Sequence, residues 1–254
     1  MRCIALINQK GGVGKTTTVA NLGACLAQLG KKVLVIDLDP QANLTIHLGI
    51  KGNELEHSIY DFLLWKTKVE EVIIPTPVEG LNIIPSNIDL SRAEIELVNM
   101  PSRETILKDR LFLTFRKYDY SLVDCAPSLG LLTLNALTAV REIFIPIQTQ
   151  FFALQGINRL LETIEIVRKK VNPLLQVTGV IPVMYDVRTN LSQEVLDKIR
   201  QYFKSEVFRT VIRENVRLAE SPSFGLPITS YSPDSYGAED YMKLAKEVIS
   251  REEK

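Results

Sequence analysis

The chain has 254 residues and a mass of 28.6 kDa, enough for one large α/β domain or two small ones, and its 46% hydrophobic residues can fill a buried core. Lysine and arginine together number 30, as do aspartate and glutamate, so the zero net charge excludes a wholesale basic nucleic-acid binder and leaves only local patches for contact with a polyanion. Three widely separated cysteines argue against a disulfide framework or a zinc site, and no apolar run reaches the roughly 18 residues of a membrane span, so a cytoplasmic protein is expected.

Short apolar runs alternate with amphipathic segments along most of the chain, which is typical of a parallel sheet covered by helices. Strands are predicted at 3–8, 33–37, 81–85, 120–124, 142–147, 176–184 and 207–212. Helices are predicted at 15–29, 91–98, 104–116, 131–139, 155–171, 192–203 and 238–250. The sequence has no internal repeat and no linker rich in glycine, proline or serine, so residues 1–254 are predicted to form a single α/β domain, a mostly parallel β-sheet flanked by helices.

The first predicted strand runs into a glycine-rich segment at 9–17, QKGGVGKTT, which is followed at once by a predicted helix. Three glycines in the four positions 11–14 allow successive backbone N–H groups to turn toward one anion, and the helix adds the positive end of its dipole. In this arrangement Lys15 can reach the outer phosphates of a nucleotide, and the hydroxyl of Thr16 can complete the shell of a Mg²⁺ ion. The segment therefore predicts a phosphate-binding loop.

Two departures from the ordinary GxxxxGK[ST] loop are informative, because Gln9 occupies the position of its first glycine and Lys10 opens the glycine run. With them the segment resembles the deviant Walker A motif, KGGxGK[ST], of the ParA/MinD group of P-loop ATPases. In that family the early lysine crosses a dimer interface and contacts the phosphates of the facing subunit's ATP. The resemblance implies a P-loop NTPase fold and a homodimer with ATP sandwiched at its interface, in which Lys10 and Lys15 serve catalysis. The nucleotide-binding residues that it implies in the loop are Lys10, Gly11, Gly12, Val13, Gly14, Lys15, Thr16 and Thr17.

Asp124 ends the apolar strand predicted at 120–124 and precedes the sequence CAPS. Phosphoryl transfer needs a carboxylate to hold Mg²⁺, and an aspartate at a strand end near a phosphate loop matches a Walker B aspartate. Taken alone, such an aspartate is more often a turn or N-cap residue. The family usually has two prolines after it, whereas Ala126 replaces the first here. Asp124 and Thr16 are predicted to bind Mg²⁺.

The second predicted strand leads into DLDPQAN at 37–43, which resembles the family's DxDPQ[GA]N switch region. The resemblance implies that Asp39 positions or activates the hydrolytic water, while Asp37 lies closer to the Mg²⁺ ion and is a further metal-binding candidate. The alternative is structural, with Asp37 capping the strand and Asp39 opening an Asp-Pro turn.

Further segments resemble the chromosome-type ParA/Soj subgroup, so the resemblance covers essentially the whole chain. The segment FALQG at 152–156 is similar to the family's YYALEG, and MYDVRTN at 184–190 is similar to its MxDxRTN. The segment NVRLAESPSFG at 215–225 closely matches the NVRLAEAPSFG block. Arg188 and Arg217 fall on arginines that the resemblance links to DNA.

The segment IRE at 212–214 departs from the family's common IPRN, next to the expected adenine pocket. Arg213 and Asn215 are the candidates for that pocket.

The resemblance implies a Mg-dependent ATPase with weak basal activity that is stimulated by DNA and by a partner. Such a protein dimerises on ATP, binds double-stranded DNA without sequence preference, and segregates a chromosome or plasmid with a ParB-like protein on the nucleoid. One alternative from another class is the positioning of a protein cargo on the nucleoid by the same ATPase.

A third alternative, MinD-like membrane patterning, depends on the carboxy-terminal segment. A MinD-like chain ends in a short helix with basic and bulky apolar faces that anchors it to a membrane surface. Here the apolar positions fit a helix stripe facing the core, and the acidic residues near the end would repel anionic lipid. The stripe consists of Tyr241, Leu244, Ala245 and Val248. No membrane partner is therefore expected.

Overall fold

Seven β-strands form one sheet in the computed structural model, which describes residues 1–252. The strands are β1 (Arg2–Leu6), β2 (Val33–Leu38), β3 (Ile74–Pro75), β4 (Leu81–Ile84), β5 (Tyr120–Cys125), β6 (Glu142–Gln148) and β7 (Gln176–Val183). Their order across the sheet is β3-β4-β2-β5-β1-β6-β7, and every neighbouring pair is parallel except β3 with β4. The predicted mostly parallel sheet flanked by helices is confirmed.

Helices cover both faces of this sheet and enclose two hydrophobic cores. They are α1 (Lys15–Gln28), α2 (Asn43–His47), α3 (Ile59–Leu63), α4 (Val69–Val72), α5 (Leu90–Leu97), α6 (Ile106–Phe115), α7 (Leu131–Ala139), α8 (Ile157–Lys170), α9 (Asn190–Phe203), α10 (Val216–Glu220), α11 (Ile228–Tyr231) and α12 (Tyr236–Ser250). Short 3-10 helices lie at Gly52–Glu54, Lys204–Glu206 and Ser221–Phe224.

The central strands β2 and β5 are buried along their whole length. Val35 packs in the core that contains α1 and α12, whereas Leu34 and Ile36 pack in the core on the other face. Because both faces are covered, β2 is a continuous apolar run instead of an alternating one. The two strands pair in register with Asp37 beside Asp124, so two buried carboxylates meet at the carboxyl edge of the sheet.

The prediction of a strand at 207–212 is wrong. This segment forms no continuous ladder with β7. It has one isolated bridge, Val207 with Val180, and a hydrogen bond from the N–H of residue 212 to the carbonyl of residue 182 at 2.9 Å. A second bridge, Arg213 with Tyr185, lies just beyond it. The carboxylate of Glu247 on α12 accepts hydrogen bonds from the backbone N–H groups of residues 209 and 210, which interrupts pairing with β7. The five short helices α2, α3, α4, α10 and α11 and the two-residue β3 were not predicted, because four or five residues are too few to establish a helical period.

The apolar stripe of α12 faces the core as predicted. Tyr241, Leu244, Ala245 and Val248 are all buried, and the Tyr241 hydroxyl shares a 3.1 Å hydrogen bond with Thr18 on α1. This face of α12 is therefore occupied by packing within the chain. Over residues 1–252, the structure contains no helix with the length and apolarity needed to cross a membrane.

Candidate active site

The loop between β1 and α1 has the backbone of an anion cradle. Gly12 and Gly14 have φ of +71° and +76°, a region in which a side chain is strained, and Gly14 is the N-cap of α1. Among the described residues, no atom beyond the chain neighbours lies within 4 Å of the place where a Cβ would stand at Gly11, Gly12 or Gly14. Val13, between these glycines, is buried. The open side of the loop therefore faces the cavity and leaves its backbone accessible to a ligand.

The two loop lysines occupy different positions. Lys15 is only 7% exposed, and its Nζ donates to the carbonyl oxygens of Asn8 at 3.1 Å and Lys10 at 3.4 Å. Burial lowers the pKa of the Lys15 ammonium. Lys10 is exposed, and its Nζ donates to Gln148 Oε1 at 2.9 Å, while Gln148 Nε2 donates to the carbonyl of Gly12 at 3.0 Å. Lys15 is thus inside its own loop, whereas Lys10 lies on the rim.

Thr16 and Asp124 meet at the end of β5. The Thr16 hydroxyl donates to Asp124 Oδ2 at 2.6 Å, whereas Asp124 Oδ1 is buried and has no hydrogen-bond partner within residues 1–252. Burial raises the pKa of Asp124 well above its ordinary value, and the neighbouring charge of Asp37 raises it further. The charge of Lys15 lowers this pKa, but the shift stays upward, and the Lys15 ammonium is bonded to loop carbonyls instead of to this carboxylate.

This pair of residues fits a Mg²⁺ site. Mg²⁺ prefers oxygen ligands and is usually held by one or two carboxylates together with water and substrate phosphates. A buried carboxylate oxygen without a partner is costly, and a cation beside it would remove that cost. Thr16 Oγ1 and Asp124 supply two neighbouring oxygens at the foot of the glycine loop.

The aspartates of the switch segment differ in their environment. Asp37 is fully buried, and its Oδ2 accepts from the backbone N–H of Thr45 at 2.8 Å and from the Thr45 hydroxyl at 2.7 Å. Its Oδ1 accepts from the backbone N–H of Asp39 at 3.3 Å. Burial raises the pKa of Asp37 to about 6, although these hydrogen bonds lower it. Asp39 lines the cavity, and its Oδ1 accepts from the backbone N–H of Gln41 at 2.9 Å. Asp39 therefore faces the cavity, while both Asp37 oxygens are occupied by its own segment.

The cavity in front of the loop has a volume of about 480 Å³. Besides the glycine loop, Thr16, Thr17 and Asp39, its lining includes Ile46, His47, Met184 and Pro222. Ile46, Met184 and Pro222 are apolar, which suits a planar base. Sequence reasoning missed these residues, although Met184 and Pro222 lie inside segments that were recognised by their resemblance.

The residues predicted for the base pocket are not brought to this cavity. Arg213 forms a two-pronged ion pair with Asp240 and also bonds Glu239, and it stacks over the Tyr236 ring. Asn215 caps α10, with its Oδ1 accepting from the backbone N–H of residue 217 at 2.8 Å. Both line a separate groove of about 450 Å³.

Two glycines allow the segment after α2 to contact the segment that ends the 3-10 helix at Ser221–Phe224. Gly49 and Gly225 both have positive φ, and a Cβ on Gly225 would stand 2.6 Å from the Cα of Gly49. Ser221 Oγ lies 3.4 Å from Nε2 of His47, whose burial lowers its pKa to about 4. The segment that follows α2 and the segment that follows α10 are therefore in backbone contact.

The arginines linked to DNA by resemblance lie on the surface and are already paired. The Arg188 side chain is 80% exposed and makes two bonds to the carboxylate of Asp186, at 2.8 and 2.9 Å. The Arg217 side chain is 58% exposed and donates to Glu220 at 2.9 Å.

A larger cavity, of about 860 Å³, lies at the opposite edge of the sheet. Its two innermost arginines are engaged, Arg2 by Glu142 and the carbonyl of Val248, and Arg251 by Glu247 and backbone carbonyls. It contains no glycine loop, so the smaller cavity is the better candidate for the active site.

Comparison with known proteins agrees with this geometry. A protein-family model described as an AAA domain matches residues 1–177. The sporulation initiation inhibitor protein Soj of Bacillus subtilis (strain 168) is 51% identical over 249 residues, which cover 98% of each chain. The chromosome-partitioning ATPase Soj of Treponema pallidum (strain Nichols) is 47% identical over 99% of this chain and 98% of its own. The chain belongs to the ParA/Soj family of chromosome-partitioning ATPases.

A solved structure of another protein has a fold similar to that of this ParA/Soj family member. Cobyrinic acid a,c-diamide synthase from Mycobacterium smegmatis, crystallised with ADP and magnesium, superposes with a TM-score of 0.86 at 36% identity, covering 98% of this chain and 94% of that one. The same protein was also crystallised with an ATP analogue and magnesium. The fold of this chain is that of the P-loop ATPases.

Proposed function

We propose that this chain is a single-domain, Mg-dependent ATPase that dimerises around ATP and, as a dimer, binds double-stranded DNA without sequence preference. It works in the cytoplasm, on the nucleoid, with a ParB-like partner that stimulates its weak basal hydrolysis. The observation that carries the proposal is the unpartnered Asp124 oxygen beside the Thr16 hydroxyl, at the foot of a glycine loop that opens into a cavity. The names of the relatives and the nucleotide-bound crystal structure support the same activity.

A nucleotide in this cavity places its phosphates on the backbone of 11–16. Lys15 exchanges its two carbonyl partners for the outer phosphates, since charge-assisted bonds to phosphate are stronger than bonds to neutral carbonyls. The base packs against apolar lining residues, which include Met184 and Pro222.

The surroundings of each carboxylate indicate its role in hydrolysis. Thr16 and Asp124 would hold Mg²⁺, which when bound neutralises charge on the reacting phosphates. Asp39 orients the attacking water because its carboxylate faces the cavity beside the loop. Asp37, first predicted as a further metal-binding residue, holds the switch segment through its bonds to Thr45 and Asp39.

Lys10 serves the facing subunit in this proposal. Lys10 is exposed on the loop rim, and its partner Gln148 ends β6. Shortly after β6, Phe151 and Phe152 are 73% and 62% exposed. Lys10→Ala should bind ATP yet fail to dimerise with it, which light scattering with and without ATP measures. A variant that dimerises normally would remove this role.

Arg188 and Arg217 are proposed to contact DNA phosphates. Dimerisation doubles a weak surface, so binding gains avidity without new contacts and falls steeply with salt. Arg188→Glu and Arg217→Glu should abolish DNA retention in a filter assay with ATP while preserving ATP binding and dimerisation. Arg168→Glu is a matched control, since Arg168 on α8 is an exposed arginine and, like Arg217, is paired with a carboxylate three residues away. Equal loss in the control, or equal DNA binding without ATP, would contradict the proposal.

Turnover measurements test the whole cycle. Phosphate release should require Mg²⁺ and should rise when DNA and the ParB-like protein are added together. Turnover that responds to neither addition would reduce the chain to a nucleotide-binding protein of another function.

A further inference from the structure

The backbone of Asp39 is held at both of its polar atoms by groups outside the cavity. Its N–H donates to Asp37 Oδ1 at 3.3 Å, and its carbonyl accepts from the hydroxyl of Ser86 at 2.8 Å. The carbonyl also accepts from the N–H of Ala42 at 3.0 Å, which closes the turn that leads into α2. The side chain of Asp39 lines the cavity, with its Oδ1 accepting from the backbone N–H of Gln41.

One threonine closes these contacts into a ring. The Thr45 hydroxyl donates to Asp37 Oδ2 at 2.7 Å and accepts from the backbone N–H of Ser86 at 2.9 Å. Asp37, Thr45 and Ser86 are each 0% exposed. The ring therefore joins the end of β2, the helix α2 and the segment after β4. Because it is shielded from bulk solvent, its hydrogen bonds are strong and each lost partner is costly.

Ser86 is itself fixed in position. The carbonyl of the preceding Pro85 accepts from the N–H of Ile59 at the start of α3, at 2.8 Å. Neither Ser86 nor Thr45 lines the cavity, so neither can touch the substrate directly. Any effect of these hydroxyls on the reaction is therefore indirect, and their hydrogen bonds lead to Asp39.

We propose that Ser86 and Thr45 are positioning residues that set the carboxylate of Asp39 for the attacking water. The inference rests on the proposed function, in which Asp39 orients that water. Small displacements of a catalytic group cost large factors in rate while substrate binding by other residues is untouched. The ring therefore controls turnover and leaves ATP affinity to the phosphate loop.

Three variants test the ring. Ser86→Ala and Thr45→Val each remove one hydroxyl, and both should lower kcat about tenfold or more while KM and the ATP dissociation constant stay within about twofold. Thr45→Ser keeps the hydroxyl and should recover most of the rate. Should Thr45→Val fail to fold, Ser86→Ala, which removes a single oxygen, decides alone.

Thr138→Val on α7 is the matched control. Thr138 is 3% exposed and its hydroxyl donates to the carbonyl of Glu104 at 2.6 Å, so the variant also loses a buried hydroxyl bonded to a carbonyl, far from Asp39 in the chain. Its melting temperature should fall while kcat stays unchanged. A kcat within twofold of wild type for both Ser86→Ala and Thr45→Val would overturn the inference.

Coupling to Asp39 distinguishes positioning from general destabilisation. In an Asp39→Ala background, Ser86→Ala should have no further effect on kcat, because the group that it positions is gone. A full, additive effect in that background would overturn the inference while leaving the proposed function intact. If Asp39→Ala itself turns over like wild type, the assigned role of Asp39 fails, and the inference fails with it.

Discussion

The glycine-loop edge and the arginine surface differ in whether their charged groups already have partners. At the loop edge, Asp124 Oδ1 is buried without a hydrogen-bond partner among the described residues, and the Lys15 ammonium donates to backbone carbonyls. On the surface, Arg188 and Arg217 are solvated and each is bonded to a nearby carboxylate. A cation at the loop edge would relieve the free-energy cost of the unpaired Asp124 oxygen. A DNA phosphate at the arginine surface must instead displace both water and a carboxylate. Strong, preorganised binding therefore belongs to the cavity, and weak, salt-sensitive binding belongs to the arginines.

The largest expected effect is on turnover at the loop edge. Asp39→Ala should slow hydrolysis by about 100-fold or more and spare ATP binding, because it removes the water-orienting carboxylate and leaves Lys15, Thr16 and Asp124 intact. Phosphate release and an ATP titration on the same sample measure this split. If the variant loses ATP binding instead, Asp39 belongs to the metal site.

Lys15→Ala should lower ATP affinity by about tenfold or more, about 1.4 kcal/mol, because the backbone cradle alone must then hold a multiply charged anion. Equilibrium titration with a fluorescent ATP analogue measures it. Lys10→Ala is the control within the same loop and should bind ATP normally as a monomer. Unchanged affinity in Lys15→Ala would remove the phosphate-loop assignment.

Asp124→Asn should make the nucleotide-free protein more stable than the wild type by about 1 kcal/mol at pH 8, since burial disfavours the ionised form of this carboxyl, whose Oδ1 has no hydrogen-bond partner in the described part of the chain. The folded-state pKa of Asp124 lies above its unfolded value, so the stability of the wild-type protein falls as the pH rises from the unfolded pKa through the folded pKa. Near pH 4 the carboxyl is protonated and the two proteins should unfold alike. Denaturant unfolding at both pH values checks this, and a destabilised variant at pH 8 would show that Asp124 is compensated in the free protein.

The smallest effect is expected on the arginine surface. Asp186→Asn frees Arg188 from the pair that lowers the pKa of Asp186 to about 2, and should raise DNA affinity roughly two- to threefold at low salt. Glu79→Gln removes an exposed acid that has no ion pair within residues 1–252 and does not line the groove that contains Arg188, so it controls for net charge. Equal gains in the two variants would mean that pairing does not limit Arg188.

The phosphate loop and Asp124 could be predicted because the residues that define them lie in short continuous segments at strand ends. The sequence also predicted the parallel sheet, since short apolar runs, such as 33–36 in β2, alternate with amphipathic segments. Contacts between distant segments could not be predicted. Ser86 meets Thr45 across 41 residues, and no local pattern marks either hydroxyl.

The candidates for the base pocket also show that contacts between distant segments cannot be predicted from local sequence. Resemblance located the segment that contains Arg213, but the carboxylate of Asp240, 27 residues further on, turns that arginine away from the cavity. Likewise the N–H groups after Phe208 are taken by Glu247 on α12, which no β-propensity of 207–212 could reveal.

The backbone contact between Gly49 and Gly225 has a consequence for chimeras of this protein. A Cβ on either residue would collide with the other segment, at 2.9 Å from the Gly225 carbonyl oxygen or 2.6 Å from the Gly49 Cα. Because no side chain lies between the two segments, none can be trimmed to absorb a mismatch. A chimera that exchanges only one of them has to keep glycine at both positions, and the region after α2 and the region after α10 are best transplanted as one unit.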